Sequence, residues 1–136
     1  MAIEGGCYCG SLRYRADGDA QFKGQCHCRE CQFVSGGGPN YCMGLVEAGF
    51  EYTLGSPKLF SRSDLDDPVT REFCGECGTH ILARSSAMPG AVILKAGTLD
   101  DPTIYGAPQM AIFTIDKQAF HMIPEGLASF ERTPGA

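Results

Sequence analysis

Seven of the eight cysteines fall into three short runs, Cys7-Tyr8-Cys9, Cys26-His27-Cys28-Arg29-Glu30-Cys31 and Cys74-Gly75-Glu76-Cys77, and this spacing constrains the chain more than any other feature. Packing alone never requires three thiols within six residues. Clustered thiols are disulfides in oxidising compartments, and metal ligands or redox groups where glutathione and thioredoxin keep them reduced. The start of the chain, Met1 to Gly6, lacks the basic and apolar regions of a secretory signal. No window reaches the roughly 18 consecutive apolar residues of a membrane helix. The expectation is a cytoplasmic protein, away from the membrane, whose cysteines hold metal.

Zinc takes four tetrahedral ligands in structural sites and leaves a position open in catalytic ones. Cys74-x-x-Cys77 followed by Gly78 has the spacing of half a structural site, because a two-residue spacer lets both sulfurs curl onto one ion and glycine accepts the positive φ such a turn needs. Its natural complement is Cys7-x-Cys9, between Gly5-Gly6 and Gly10, although a one-residue spacer is tighter and less common. Cys26, Cys28 and Cys31 then supply three thiolates and leave a fourth position for water or a substrate thiol. Other pairings among eight cysteines and three histidines stay open at this level, and Cys42 or a histidine as fourth ligand would close the second site.

The remaining candidates receive blander readings. His27 lies between two ligands, so its side chain is expected to point away from an ion that Cys26 and Cys28 face. His80, three residues after Cys77, is expected to orient or hydrogen-bond a neighbouring group. His121 reads as a packed or exposed histidine, and Cys42, within an apolar run, as a small buried hydrophobe. Asp64, Asp66 and Asp67 read as a hydrated loop, and Arg13 and Arg15 as solvated. Gly36-Gly37-Gly38 lacks the Lys-Ser/Thr of a phosphate loop and is read as a wall of a pocket beside the triplet.

A formal charge of −5 argues against nucleic acid, which needs a basic face. A substrate carboxylate would need a local arginine against this field, and Arg29 sits inside the central motif. With 136 residues and 43% hydrophobic content the chain is expected to form one domain, 1–136, with a core of its own. Eighteen glycines, eight prolines and no helical period lasting three turns point to short strands and turns. Strands are predicted over 12–16, 20–25, 41–46, 50–54, 58–62, 69–73, 80–84, 91–95 and 110–115. The segments 41–46, 50–54 and 58–62 are read as a meander, with one or two helical turns over 28–34. The tail from Asp116 is ambiguous.

The order Gly6-Cys7-Tyr8-Cys9-Gly10, Cys26-His27-Cys28-Arg29-Glu30-Cys31-Gln32, Phe73-Cys74-Gly75-Glu76-Cys77-Gly78-Thr79 and Gly97-Thr98-Leu99-Asp100-Asp101-Pro102 resembles the glutathione-dependent formaldehyde-activating enzyme family, which includes the centromere protein V-type domains. The resemblance implies an all-β, Mss4-like fold of small antiparallel sheets around zinc. It implies two Zn2+ ions, a structural one on Cys7, Cys9, Cys74 and Cys77 and a catalytic one on Cys26, Cys28 and Cys31. The implied reaction joins glutathione to formaldehyde as S-(hydroxymethyl)glutathione, or reverses it, with a small thiol as partner; a homodimer is compatible with it. Two other readings stand beside the enzyme: a non-catalytic zinc module that binds a protein, and a redox switch in which Cys28 and Cys31 form a disulfide as zinc leaves.

Overall fold

The computed structural model describes residues 2–135 and shows eleven strands, one short helix and several single 3-10 turns. The strands form two sheets. The smaller joins β1 (Ala2–Gly6), β2 (Arg13–Asp17) and β5 (Phe50–Leu54), all antiparallel. The larger runs β11 (Ala128–Ser129), β10 (Met110–Ile112), β3 (Phe22–Cys26), β4 (Asn40–Val46), β9 (Ala91–Lys95), β8 (His80–Arg84), β7 (Thr70–Phe73) and β6 (Lys58–Phe60). Its pairings are antiparallel except at one edge, where β10 runs parallel to both β3 and β11. The mainly-β expectation and most of the predicted strands are borne out. The helical turns over 28–34 become α1 (Arg29–Ser35), which Gly36 ends in the left-handed conformation at φ 79°.

The meander is corrected. β4, β5 and β6 do not pair with one another: β4 lies between β3 and β9, β5 lies beside β2, and β6 lies on β7. The reason is aromatic packing that local pattern does not carry. The Phe50 ring stacks on Tyr14 of β2 at 5.3 Å and meets Tyr52 edge-on at 5.1 Å, which draws β5 into the small sheet.

The core forms where the sheets face each other. Ile3, Leu12, Tyr14 and Ala16 from the small sheet and its turn meet Met43, Leu45, Leu82, Val92 and Leu94 from the large one. Side chains alternate along a strand. Met43, Leu45, Val92 and Leu94 therefore point into this core, while Cys42 and Lys95, paired across β4 and β9, share the other face of the large sheet. That is the face against which α1 packs on β4.

Polar ties bind the two sheets. Thr98 and Tyr14 share a hydrogen bond at 2.9 Å, and the Asp100 N–H donates to the Glu4 carbonyl at 3.0 Å. Arg13 donates to Asp100 at 2.9 Å, so it is ion-paired rather than merely solvated. Gly5 sits so close that a Cβ there would lie 2.3 Å from both the Thr98 carbonyl and the Tyr14 hydroxyl. Buried Glu72 accepts from Tyr52 at 2.8 Å and from Arg84 at 2.6 Å. The stretch Gly97 to Pro102 is thus a strap across the sheet junction.

Candidate metal centres

Two turns meet at the junction. The first follows β1, where the Cys7 N–H and the Leu12 carbonyl bond at 3.1 Å and Gly10 takes φ 83°; the second follows β7, where the Cys74 N–H donates to Thr79 at 2.9 Å and Gly78 takes φ 79°. They bring Cys7, Cys9, Cys74 and Cys77 together, with all four sulfurs within 4.8 Å of one another. Sγ to Sγ is 3.6 Å for Cys7 and Cys9, and 3.8 Å for Cys9 and Cys74. Bonds of about 2.3 Å from a tetrahedral centre put sulfurs about 3.8 Å apart, so this set fits Zn2+.

Hydrogen-bond donors surround the four sulfurs. The Leu12 N–H donates to Cys7 at 3.2 Å, and the N–H groups of Glu76 and Cys77 donate to Cys74 at 3.3 and 3.4 Å. The Ser11 hydroxyl lies 3.1 Å from Cys9 and 3.2 Å from Cys74. Burial raises the Cys7 thiol, but the Leu12 and Ser11 hydrogen bonds win and bring it down to about 7. The side chain and backbone of Thr79 lower Cys77 to about 5. Ser11 pulls Cys9 down too, yet desolvation and the neighbouring thiols of Cys7 and Cys77 outweigh it and leave that group raised. These donors are the partners that thiolate ligands use.

The second set is local. Cys26 ends β3, Cys28 caps α1 and accepts from the Cys31 N–H at 3.3 Å, and Cys31 lies in the first helical turn. The three sulfurs lie within 4.8 Å of one another, and among the described residues no fourth Cys, His, Asp or Glu joins them. Cys26 and Cys31 are buried, while Cys28 is partly exposed. Hydrogen bonds from the Cys26 and Cys31 thiols hold Cys28 down at about 2, and Cys26 is pushed up by Cys28 and Cys31. Cys26 lowers Cys31, but the Cys28 charge and burial prevail and push it up to about 11. Three thiols this close together cannot all ionise unaided, and a divalent cation is what would let them do so. Each cluster could therefore hold a metal ion.

The surroundings of the triplet correct one reading, that of the glycine loop. His27 is buried and its ring bonds Gln25 and His121 instead of joining the sulfurs, and His121, read as packed or exposed, is buried and joins it in a network. The Gln118 N–H donates to His121 Nδ1 at 3.1 Å, so His121 Nδ1 is an acceptor and its Nε2 donates to the Gly37 carbonyl at 2.7 Å. His27 Nδ1, 3.0 Å from His121 Nδ1, must then donate, and His27 Nε2 accepts from Gln25 at 3.1 Å. The two rings then carry opposite tautomers, and burial, then His121 and Lys117, keep His27 below its ordinary value. Gln32 continues the network by donating to the carbonyls of His27 and Asp116, each at 2.9 Å. The glycine loop, held through Gly37, faces this tail and does not line the groove beside α1.

That groove measures about 570 Å3 and is lined by Arg29, Phe33, Phe60, Arg71, Phe73 and His80 among others. Arg29 lies over the Phe33 ring, 4.9 Å from its centroid. Arg71 donates to Glu30 at 3.0 Å and is near enough to Cys28 to favour its thiolate. His80 stacks on Phe73 at 5.4 Å, and its buried Nδ1 bonds to no described group, so the orienting hydrogen bond expected of it is not made there. Cys42 is buried as predicted, and the burial pushes its thiol up to about 12.

Residues 2–116 match the glutathione-dependent formaldehyde-activating enzyme family, a span that takes in both clusters and the strap. The chain belongs to this family. A protein of Halomonas elongata named for the same family is 29% identical over 108 residues, which cover 74% of this chain and 67% of that protein. A Rhodobacter sphaeroides protein known from a crystal structure superposes with a TM-score of 0.62 at 15% identity, over 77% of this chain and 96% of that one; the likeness is of fold. Among the described residues no helix of this family member is long and apolar enough to cross a membrane.

Proposed function

We propose that the chain is a cytoplasmic, single-domain zinc enzyme of carbon–sulfur bond chemistry, which joins a small thiol such as glutathione to formaldehyde or reverses that step. Cys7, Cys9, Cys74 and Cys77 hold a structural Zn2+, and Cys26, Cys28 and Cys31 hold a catalytic one. The observation that carries this reading is a set of three sulfurs, joined by no fourth protein ligand among the described residues, beside a groove of about 570 Å3. Zn2+ on three thiolates supplies a Lewis acid that lowers the pKa of a thiol and polarises a carbonyl.

The chain's own residues supply the rest. Cys28, the partly exposed thiol, marks the side from which substrate approaches. Among the described residues the Arg29 guanidinium has only neutral Gln32 as its hydrogen-bond partner, and it is the wall residue suited to a substrate carboxylate. Phe33, exposed over 77% of its surface, offers an apolar wall beside it. Holding both reactants there replaces a bimolecular encounter by a local one. The thiol sulfur bonds to the carbonyl carbon, the carbonyl π pair moves to oxygen, and the thiol proton ends on that oxygen, so that no redox partner is needed.

The test is adduct formation from glutathione and formaldehyde, measured above the spontaneous rate with the two-metal protein. Wild type is expected to accelerate it and Cys28→Ala to return it to the spontaneous rate. Equal rates for the two proteins would sink the enzyme reading and leave the non-catalytic zinc module.

A further inference from the structure

A lysine at the end of a strand ordinarily carries its charge out to water along a flexible stem. Lys95 does not. It closes β9 opposite Cys42, on the face of the large sheet that carries α1, and its Nζ is buried with no hydrogen-bond partner among the described residues. Nor does it enter any of the described ion pairs: Arg71 is engaged by Glu30, Arg84 by Glu47 and Glu72, and Arg13 by Asp100. Burial and the like charge of Arg71 hold its amine below the ordinary lysine value, while the thiols of Cys31, Cys42 and Cys26 are near enough to act the other way. A buried ammonium without a partner costs several kcal/mol and tends to lose its proton, and an anion beside it is what would keep it charged.

Three thiolates around a divalent ion carry one net negative charge, buried here with Cys26 and Cys31. Resting on the reading that the triplet holds Zn2+, we propose that Lys95 is the counter-charge of that centre, a positioning residue that raises the affinity of the three-sulfur site for metal without being a ligand. Among the described residues no buried cation is found at the four-thiol cluster; Lys58, whose stem lies against Gly75, is exposed. The sulfurs of that cluster are served by the N–H groups of Leu12, Glu76 and Cys77 and by the Ser11 hydroxyl, so the two sites compensate thiolate charge in different ways.

The experiment loads the full chain with two equivalents of Zn2+ and titrates it with a chromophoric chelator, using wild type, Lys95→Met, Lys95→Gln and Lys95→Arg. In parallel, Co2+ loading is followed by thiolate-to-metal charge-transfer absorption. Lys95→Met is expected to release one equivalent at a roughly 10- to 100-fold lower chelator concentration, the range in which groups supporting a metal site act. The other equivalent should stay as in wild type, and Lys95→Arg should restore the first. Lys95→Gln, polar but uncharged, should behave like Lys95→Met and carries the test if the methionine variant does not fold. Retention of both equivalents by the neutral variants would overturn the proposal, as would parallel weakening of both, which marks a purely structural lysine. A wild-type protein that binds one equivalent overturns the underlying zinc reading itself, and is recognised before any variant is made.

Discussion

Cys9 lies exposed in a cluster knitted by hydroxyls and backbone amides, whereas Cys26 and Cys31 are buried in a cluster whose neighbours are Arg71 and Lys95. The first cluster joins Cys9 to Cys74, 65 residues apart, at the meeting of two turns; the second fits within the six residues from a strand end to the first turn of a helix. Closing a long loop through a metal constrains the unfolded chain, while a local cluster constrains it little. Stability should therefore depend mainly on the four-thiol set, and chemistry on the three-thiol set.

The harshest way to break this contrast is Cys74→Ala. With structural zinc contributing on the order of 10 kcal/mol, the variant should lose its cooperative melt in circular dichroism. A soluble, cooperatively melting Cys74→Ala protein would show the two clusters to be equivalent for folding. Cys28→Ala should do the opposite: a near-wild-type melt, one metal equivalent by mass spectrometry under native conditions, and no adduct formation above the spontaneous rate. Unfolding of this variant would erase the contrast from the other side.

Smaller effects sharpen the comparison. On stepwise chelation of wild type, the metal of the three-thiol site should leave first, having one protein bond fewer, and the melting temperature should fall mainly at the second step. Gly5→Ala forces a methyl against the Thr98 carbonyl and the Tyr14 hydroxyl, and overpacking of this kind costs about 1–3 kcal/mol. An unfolding free energy lowered by that amount in denaturant titration, with adduct formation intact, would show that the strap serves folding rather than chemistry. Ser11→Ala removes a hydroxyl next to Cys9 and Cys74 and should cost about 1 kcal/mol, read as a slightly lower midpoint with two metal equivalents retained.

The parts legible from sequence were local. Apolar runs such as Ala91–Lys95 and His80–Arg84 named their strands because period and residue type act over a few positions. β1 was missed because Gly5 and Gly6 are poor strand formers; the glycine at position 5 is there for the close approach of Thr98, 93 positions along the chain. The same limit hid the destination of β5, decided by Tyr14, and the histidine pair, which joins residues 94 apart.

By itself the sequence determined that seven thiols would act in groups, and that Cys26, Cys28 and Cys31 would form one of them, because six residues of chain cannot separate them. Only the tertiary structure decided that Cys7 and Cys9 join Cys74 and Cys77, that the glycine loop turns to the tail instead of the groove, and that Lys95 is buried on the thiol face. Those outcomes depend on which sheet faces pack together. A strand's pattern states that one face will be buried, and leaves its partner to be chosen by the rest of the chain.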